Sequence, residues 1–327
     1  MTSSPRMFYS RSAIDRSALL RKDEQWLKNS LQNESLALPV WQNHNLFDTQ
    51  GKTTPEFLWL DLNQNLLSAS SETVFLGLYD QKPLYTIDLS HLDLEQAQLI
   101  VGRGKFLDLR KVSKRLDPDH ASLMAYARGI LQWHRNHPFC SRCGQSTQSS
   151  DGGHIRVCTH DPCKTVSYPR IDPAVIVLVE HVPAHGEPMC LLARSRNIPK
   201  NIFSTLAGFA EPGESLEEAL KREVKEEVGL DIHSPRYIAS QSWPFPASMM
   251  IGFYAQSNNT SLQLDPAEIE EARWFTVSEI LEAVENGSLI LSKDDSIAQF
   301  LIKNWVEETL HKKIDRPALE PQTDLSK

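Results

Sequence analysis

Residues 208–230 read GFAEPGESLEEALKREVKEEVGL, seven glutamates within 23 residues of a chain that is otherwise only mildly acidic. Ser215 and Glu218 make the S-x-x-E pattern of a capping box, which opens a helix at Leu216. Gly229 stands where a left-handed C-terminal cap is expected. Between these ends Leu216, Ala219, Leu220, Val224 and Val228 share one side, the stripe to be buried. Glu223, Glu226 and Glu227 are related by i+3 and i+4, so their carboxylates gather along an adjacent edge, where each unbridged like-charge pair costs about 0.2–0.5 kcal/mol. Lys221, Arg222 and Lys225 alternate with them, as on a plain solvated charged face. Three convergent carboxylates are also what a hard divalent cation such as Mg(II) or Mn(II) binds, and such ions commonly work on phosphates.

The 327 residues allow two or three domains, and 40% hydrophobic with 23% charged residues describes an ordinary globular chain. A net charge of −8 argues against nonspecific wrapping of nucleic acid as the main role, while leaving room for a local basic patch. No run approaches the roughly 18 apolar residues of a membrane span, so no membrane partner is expected. The N-terminal stretch MTSSPRMFYSRSAIDR faintly resembles a transit peptide. It lacks an apolar h-region, and Asp15, Asp23 and Glu24 follow closely. The C-terminal TDLSK matches no targeting address, so a cytoplasmic location is the expectation.

Upstream of residue 115 come short apolar runs: FLWLDL at 57–62, VFLGLY at 74–79, PLYTIDL at 83–89 and FLDLR at 106–110. Their length and composition predict a mostly β domain with a hairpin turning at Asp80-Gln81-Lys82. Leu123, Ala127, Ile130, Leu131 and His134 fall on one face of a linking helix over 119–134. Beyond Tyr168, DPAVIVLVEH and MCLLARS at 189–195 are candidate paired strands. Strands and helices then alternate through GFYAQS, ARWFTV, SEILEAVENG and IAQFLIKNWVEETLHKK, an α+β or αβα-layered pattern. The last dozen residues carry Pro317 and Pro321 without apolar periodicity and read as a disordered tail.

Cys140 and Cys143 form one CxxC pair, and after 14 intervening residues Cys158 and Cys163 close the set. Two such knuckles supply a tetrahedral four-thiolate site, which suits Zn(II) and has no open position for substrate water, so the zinc is expected to be structural. Free or disulfide-bonded cysteines are the alternative, and His154 and His160 are substitute ligands that more simply stay solvated. Cys190, within an apolar strand candidate, reads as a small core residue.

The glutamate-rich stretch matches every fixed position of G-x5-E-x7-R-E-U-x-E-E-x-G-U with U apolar, from Gly208 through Glu214 to Leu230. It thereby resembles the box of the Nudix hydrolases. The resemblance implies a Nudix αβα sandwich over 168–310. Before it would stand a mostly β N-terminal domain with its linking helix at 1–130 and a zinc ribbon at 131–167, with a tail at 311–327. The overall class is α+β. Downstream, SQSWPFPAS at 240–248 resembles the SQPWPFPxS array of the NADH pyrophosphatase branch, with Ser242 in place of a proline. That change loosens the loop without removing a functional group. YPRIDPAVI at 168–176, DRSALLRKDEQWL at 15–27 and the four-cysteine module also look like this branch.

The resemblance implies metal binding by Glu223, Glu226, Glu227, Glu268 and the carbonyl of Ala207. Within it, Glu227 is the preferred proton acceptor, Glu226 the competing one, and Arg222 pairs with Glu214 or Glu223 to orient the box. It implies substrate contacts by Gln241, Ser242, Trp243, Pro244, Phe245, Pro246, Ala247 and Ser248, with Tyr168, Met250, Ala298 and, across a shifted spacing, Arg110. Trp243 or Phe209 would stack on a base. The implied reaction is hydrolysis of NAD(H) to NMN(H) and AMP, with Mg(II) or Mn(II) and one structural Zn(II), by a homodimer. The same chemistry would remove NAD from RNA 5′ ends. Open alternatives are an ADP-ribose or dinucleoside polyphosphate hydrolase, and a zinc-ribbon nucleic-acid-binding protein with a degenerate Nudix domain.

Overall fold

The computed structural model describes residues 7–11 and 14–314. The chain forms two compact units. The first comprises residues up to Pro173 together with Ser240–Met250; the second comprises Ala174–Ala239 and the residues from Ile251 onward. Residues 1–6, 12 and 13, which carry most of the transit-like composition, lie outside the described residues.

In the first unit the strands are β1 (Leu36–Trp41), β2 (His44–Asp48), β3 (Glu56–Phe57), β4 (Leu60–Asp61), β5 (Thr73–Tyr79), β6 (Lys82–Asp88) and β7 (Lys105–Leu107). They build one sheet in the order β3-β2-β1-β6-β5, with β4 beside β1 and β7 beside β2. The hairpin turns as expected: Asp80 and Gln81 both have positive φ, the two-residue connection that matches strand twist. FLWLDL, expected as one strand, is instead broken into β3 and β4. The strand expected at 106–110 stops at Leu107, because Asp108 accepts from the Arg110 amide and caps a helical turn.

The helices here are α1 (Glu24–Ser30), α2 (Gln64–Ala69), α3 (Leu94–Val101), α4 (Leu109–Val112) and α5 (Pro118–Asn136). The sheet is covered on both faces, and the period-2 alternation of its strands shows how. Leu36, Leu38, Val40, Val74, Leu76 and Leu84 pack on Leu123, Ala127, Ile130 and Leu131 of α5. Their neighbours Ala37, Phe75, Tyr85 and Ile87 face Leu66 of α2 and Ala97 and Val101 of α3.

The cysteine-bearing segment folds as β8 (Thr147–Ser150), β9 (Ile155–Cys158) and β10 (Val166–Ser167), ordered β10-β9-β8. It is stitched to the larger sheet by buried polar contacts. His134 near the end of α5 donates from Nε2 to the Gly153 carbonyl (2.7 Å), and its Nδ1 accepts from Arg156 of β9 (2.7 Å). Arg156 also bonds Glu72 (3.0 Å). His154 donates to the Phe75 carbonyl (2.8 Å).

Burial, ahead of the nearby Arg21 and Arg16, lowers the His154 pKa to about 4. Between pH 6.5 and about 4 the unfolded chain takes up a proton that the folded one refuses, so stability falls as pH drops through that window. The loss amounts to about 3 kcal/mol at most. H154F should flatten this part of a denaturation profile against pH; an unchanged profile would remove His154 as the cause.

The second unit is a three-layer sandwich. Its strands are β11 (Asp172–His181), β12 (Met189–Ser195), β13 (Ile202–Phe203), β14 (Leu206–Phe209), β15 (His233–Trp243), β16 (Ser248–Gln256), β17 (Ile269–Thr276) and β18 (Ile290–Leu291). Its helices are α6 (Leu216–Val228), α7 (Val277–Glu285) and α8 (Ile297–Ile314). The main sheet runs β15-β16-β11-β12-β17, with β14 on β11 and the ends of β15 and β16 counted in the first unit. Val175, Val177, Val179, Phe253 and Ala255 meet the apolar stripe of α6, including Ala219, Leu220, Val224 and Val228. The alternate residue Tyr254 points the other way and donates to the Leu301 carbonyl of α8 (2.7 Å). Helix α8 enters the stretch expected as a tail and ends at Ile314; residues 315–327 lie outside the described residues. Among the described residues no helix is long and apolar enough to cross a membrane.

Candidate active site

Helix α6 starts and stops where its sequence dictates. The Glu218 amide donates to Ser215 Oγ (3.2 Å), half of the expected capping box, and Gly229 closes the helix with φ 75°. The helix then sorts its glutamates by environment. Glu226 is largely exposed and bonded to Arg222 (3.1 Å), whereas Glu227 is buried at 7% exposure. Glu227 Oε2 has no hydrogen-bond partner. Burial, followed by the charges of Glu223 and Glu268, pushes the Glu227 carboxyl up to about 8. A buried carboxylate that faces two others and lacks a donor is costly as an anion and is relieved by a cation. Carboxylate oxygens are the hard donors a divalent metal takes, although among the described residues the glutamates do not draw together into a ligating cluster as the four cysteine sulfurs do.

Arg222 is the hub of the box. Its Nε and Nη2 grip both oxygens of Glu214 (2.6 and 2.9 Å), Nη1 reaches Glu223 (2.8 Å), and Nη2 also bonds the Phe209 carbonyl (2.9 Å). The guanidinium, helped by the Glu211 amide, holds the Glu214 carboxyl down to about 2. This bidentate fork ties the loop before α6 to the helix.

Gly208 of β14 makes room for the site. A Cβ there would run into the Glu223 carboxylate, so the strand carrying the Ala207 carbonyl approaches the helix only through glycine. G208A should therefore displace Glu223 and cost about 1–3 kcal/mol of stability together with metal affinity. A Mn(II) titration and a thermal melt of the variant check this, and wild-type values in both would refute it.

Glu268 arrives by tertiary staples that sequence reasoning missed. The Gln263 and Asp265 amides donate to the carbonyls of Val228 and Glu227 (2.9 and 3.0 Å), fixing the loop to the end of α6. On its other side the Arg196 amide donates to the Glu268 carbonyl (3.0 Å). A register shift at Arg194/Ser195 leaves Glu270 as an extra residue in β17, and the buried Arg194 holds it at 2.6 Å. The available signal was an arginine inside the apolar strand MCLLARS.

The expected substrate array Gln241–Ser248 belongs to the first unit, with Arg110, Tyr168 and Met250; Phe209 and Ala298 belong to the second. Gln241 is fully buried and donates to the Phe8 carbonyl (3.1 Å), and the Ser242 amide donates to Ser10 Oγ (2.7 Å). Trp243 and Phe245 pack against Tyr9 with centroids 5.7 and 5.2 Å away, and Arg128 lies 4.5 Å over Phe245. Trp243, expected to stack on a base, is thus engaged in the core of its own unit. Phe209, at 57% exposure, is the expected ring with an open face. Tyr168 is likewise exposed, Ala298 is buried, and Arg110 pairs with Asp108 (3.0 Å).

In the ribbon the four sulfurs of Cys140, Cys143, Cys158 and Cys163 lie within 4.8 Å of one another, the one such cluster among the described residues. The 3.8 Å between the sulfurs of Cys140 and Cys163 equals the edge of about 3.8 Å of a tetrahedron with Zn–S bonds of about 2.3 Å. The residues fit structural zinc.

Three family models match the chain. A NUDIX domain covers residues 171–293, an NADH pyrophosphatase-like rudimentary NUDIX domain 34–133, and an NADH pyrophosphatase zinc ribbon domain 135–168. The chain is similar to NAD-capped RNA hydrolase NudC of Stutzerimonas stutzeri, 37% identical over 265 residues, or 81% of this chain and 87% of the relative. It is also similar to human NAD-capped RNA hydrolase NUDT12, 39% identical over 201 residues, or 59% of this chain and 43% of the relative. Human NAD(P)H pyrophosphatase NUDT13, mitochondrial, is 40% identical over 220 residues, or 63% of this chain and 60% of the relative. The match therefore spans less than half the length of NUDT12.

Proposed function

We propose, for a chain that belongs to the NADH pyrophosphatase branch of the Nudix hydrolases, that it hydrolyses the pyrophosphate bond of NAD(H) to NMN(H) and AMP. On RNA whose 5′ end carries NAD, the same cleavage releases NMN and leaves a 5′-monophosphate. The observation that carries this reading is the buried, donor-free Glu227 oxygen facing Glu223 and Glu268, in a chain whose relatives bear NAD-capped RNA hydrolase and NAD(P)H pyrophosphatase names.

Glu223, Glu227, Glu268 and the Ala207 carbonyl would hold Mg(II) or Mn(II), with Glu226 joining once released from Arg222. When bound, the ion supplies positive charge against the pyrophosphate oxygens. Glu227 is the proton acceptor for the attacking water in this reading, because it is buried among the carboxylates, whereas Glu226 is largely exposed and committed to Arg222. Arg222 orients the box through Glu214 and Glu223 without touching substrate. Phe209 offers its open face to a base or to nicotinamide. A homodimer in the cytoplasm belongs to the same reading, and sedimentation of the zinc-loaded chain tests the dimer.

Product analysis with NADH, NAD, ADP-ribose and NAD-capped RNA, each with Mn(II), tests the reaction. NMN(H) and AMP are expected from the dinucleotides. Cleavage of ADP-ribose without release of NMN or NMNH would overturn the substrate. RNA binding with no cleavage of any of the four would point to a nucleic-acid-binding protein.

A further inference from the structure

The array at 240–248 is gripped, within the first unit, by one short segment that lies outside every motif of the sequence, residues 8–11. The Phe8 carbonyl accepts from buried Gln241 (3.1 Å), and Ser10 Oγ accepts from the Ser242 amide (2.7 Å). Between them the buried Tyr9 ring meets Trp243 and Phe245 edge-on. Three consecutive residues thus hold positions 241, 242, 243 and 245. Ser242, expected to loosen this stretch where the array it resembles has proline, instead supplies the N–H that a proline lacks.

The segment is itself anchored. The Arg11 amide donates to Ser122 Oγ (3.1 Å) and its guanidinium pairs with Asp119 (2.8 Å), both on α5. Asp15 exchanges two backbone bonds with Leu78 of β5 (3.1 and 2.7 Å). Tyr9 has φ 63°, the left-handed region that a residue with a bulky side chain enters only under restraint. Strain of this kind persists where surrounding contacts impose it, and those contacts here are to the array.

We propose that residues 8–11 are a strap that holds the 241–245 stretch in the geometry its substrate needs, and that Ser10 is a positioning residue acting through the Ser242 amide. Turning either ring of the array would displace Tyr9, which is buried and fixed on both sides in sequence. The carboxylates of the candidate metal site belong to the second unit, so loosening the strap weakens substrate binding and spares the chemical step. For what the array binds, the inference rests on the proposed NAD(H) reaction.

The test compares wild type, S10A, S10T, S242P and S10A/S242P, as zinc-loaded full chains with Mn(II), in steady-state turnover of NADH and in hydrogen exchange. S10A should raise KM about fivefold, the value of one ordinary hydrogen bond, with kcat unchanged. S10T keeps the accepting oxygen and should restore the wild-type KM. In the S242P background no N–H remains to be accepted, so adding S10A should change KM no further. The Ser242 amide should exchange faster in S10A than in wild type, and at the wild-type rate in S10T. A merely structural contact would lower the melting temperature without this dependence on position 242. Failure of wild type to cleave NADH overturns the proposed reaction, and the strap is then judged on exchange at Ser242. The strap fails if S10A leaves either KM or that exchange at the wild-type value, or if the effects of S10A and S242P on KM add.

Discussion

Glu227→Gln is expected to lower turnover of NADH by about a thousandfold, within the range for loss of a general base. The substitution keeps shape and hydrogen-bonding size while removing both a metal-ligating charge and a proton acceptor. Its effect on folding should run the other way. Burial and two neighbouring carboxylates hold this group neutral up to about pH 8. The metal-free wild type therefore loses stability as pH rises from the ordinary carboxyl range through 8, and the amide does not. E227Q should melt no lower than wild type at neutral pH and higher at pH 9, while turning over far more slowly. Glu226→Gln, at an exposed position bonded to Arg222, should cost much less activity. Full turnover by E227Q would remove Glu227 from the chemistry.

Removal of zinc should dismantle the ribbon and spare the second unit. The ribbon is 34 residues long and has little core of its own, so metal binding supplies its folding free energy, about 10 kcal/mol or more in isolated zinc modules. Cys158→Ser, at a buried ligand, should act like a chelator. Hydrogen exchange is the discriminating measurement. Amides of Thr147–Ser150 and Ile155–Cys158 should lose protection, and those around Gly153 and His134 should follow, because Arg156, His134 and Glu72 form one network. Amides of Leu216–Val228 should keep theirs. Unchanged exchange in the ribbon after metal removal would mean that its folding does not depend on zinc.

The local part of the site was legible because its determinants are local. A capped helix puts Glu223, Glu226 and Glu227 on one edge by periodicity alone, and the sulfur cluster follows from knuckle spacing. Differentiation among the glutamates was not legible. Which of them is buried depends on strands 20 to 50 residues away, and Arg222, at i−4 from Glu226, draws that side chain outward. The place of Glu268 rests on a bulge and on backbone bonds from Asp265 and Arg196, and none of these leaves a periodic trace. Trp243 reads as a binding residue from its motif, but its partner, Tyr9, is more than 200 positions upstream. FLWLDL misled for a related reason: β propensity says nothing about where two separate sheet partners divide a run.

The bond from Gln241 to the Phe8 carbonyl spans 233 positions. It sets an order of events during synthesis. A nascent chain that has delivered the N-terminal sheet and the ribbon still lacks Trp243, Pro244 and Phe245, so Tyr9 and Gly129 wait without their partners until residue 250 has left the ribosome. Contacts of such long range form late, and the surface awaiting them is exposed meanwhile to chaperones and to aggregation. A fragment cut at residue 168 to isolate the catalytic box would carry the converse defect, an aromatic hairpin synthesised without the surface that receives it. The motif boundaries along the sequence are therefore not boundaries for expression: a cut at residue 168 separates Ser240–Met250 from the unit it belongs to.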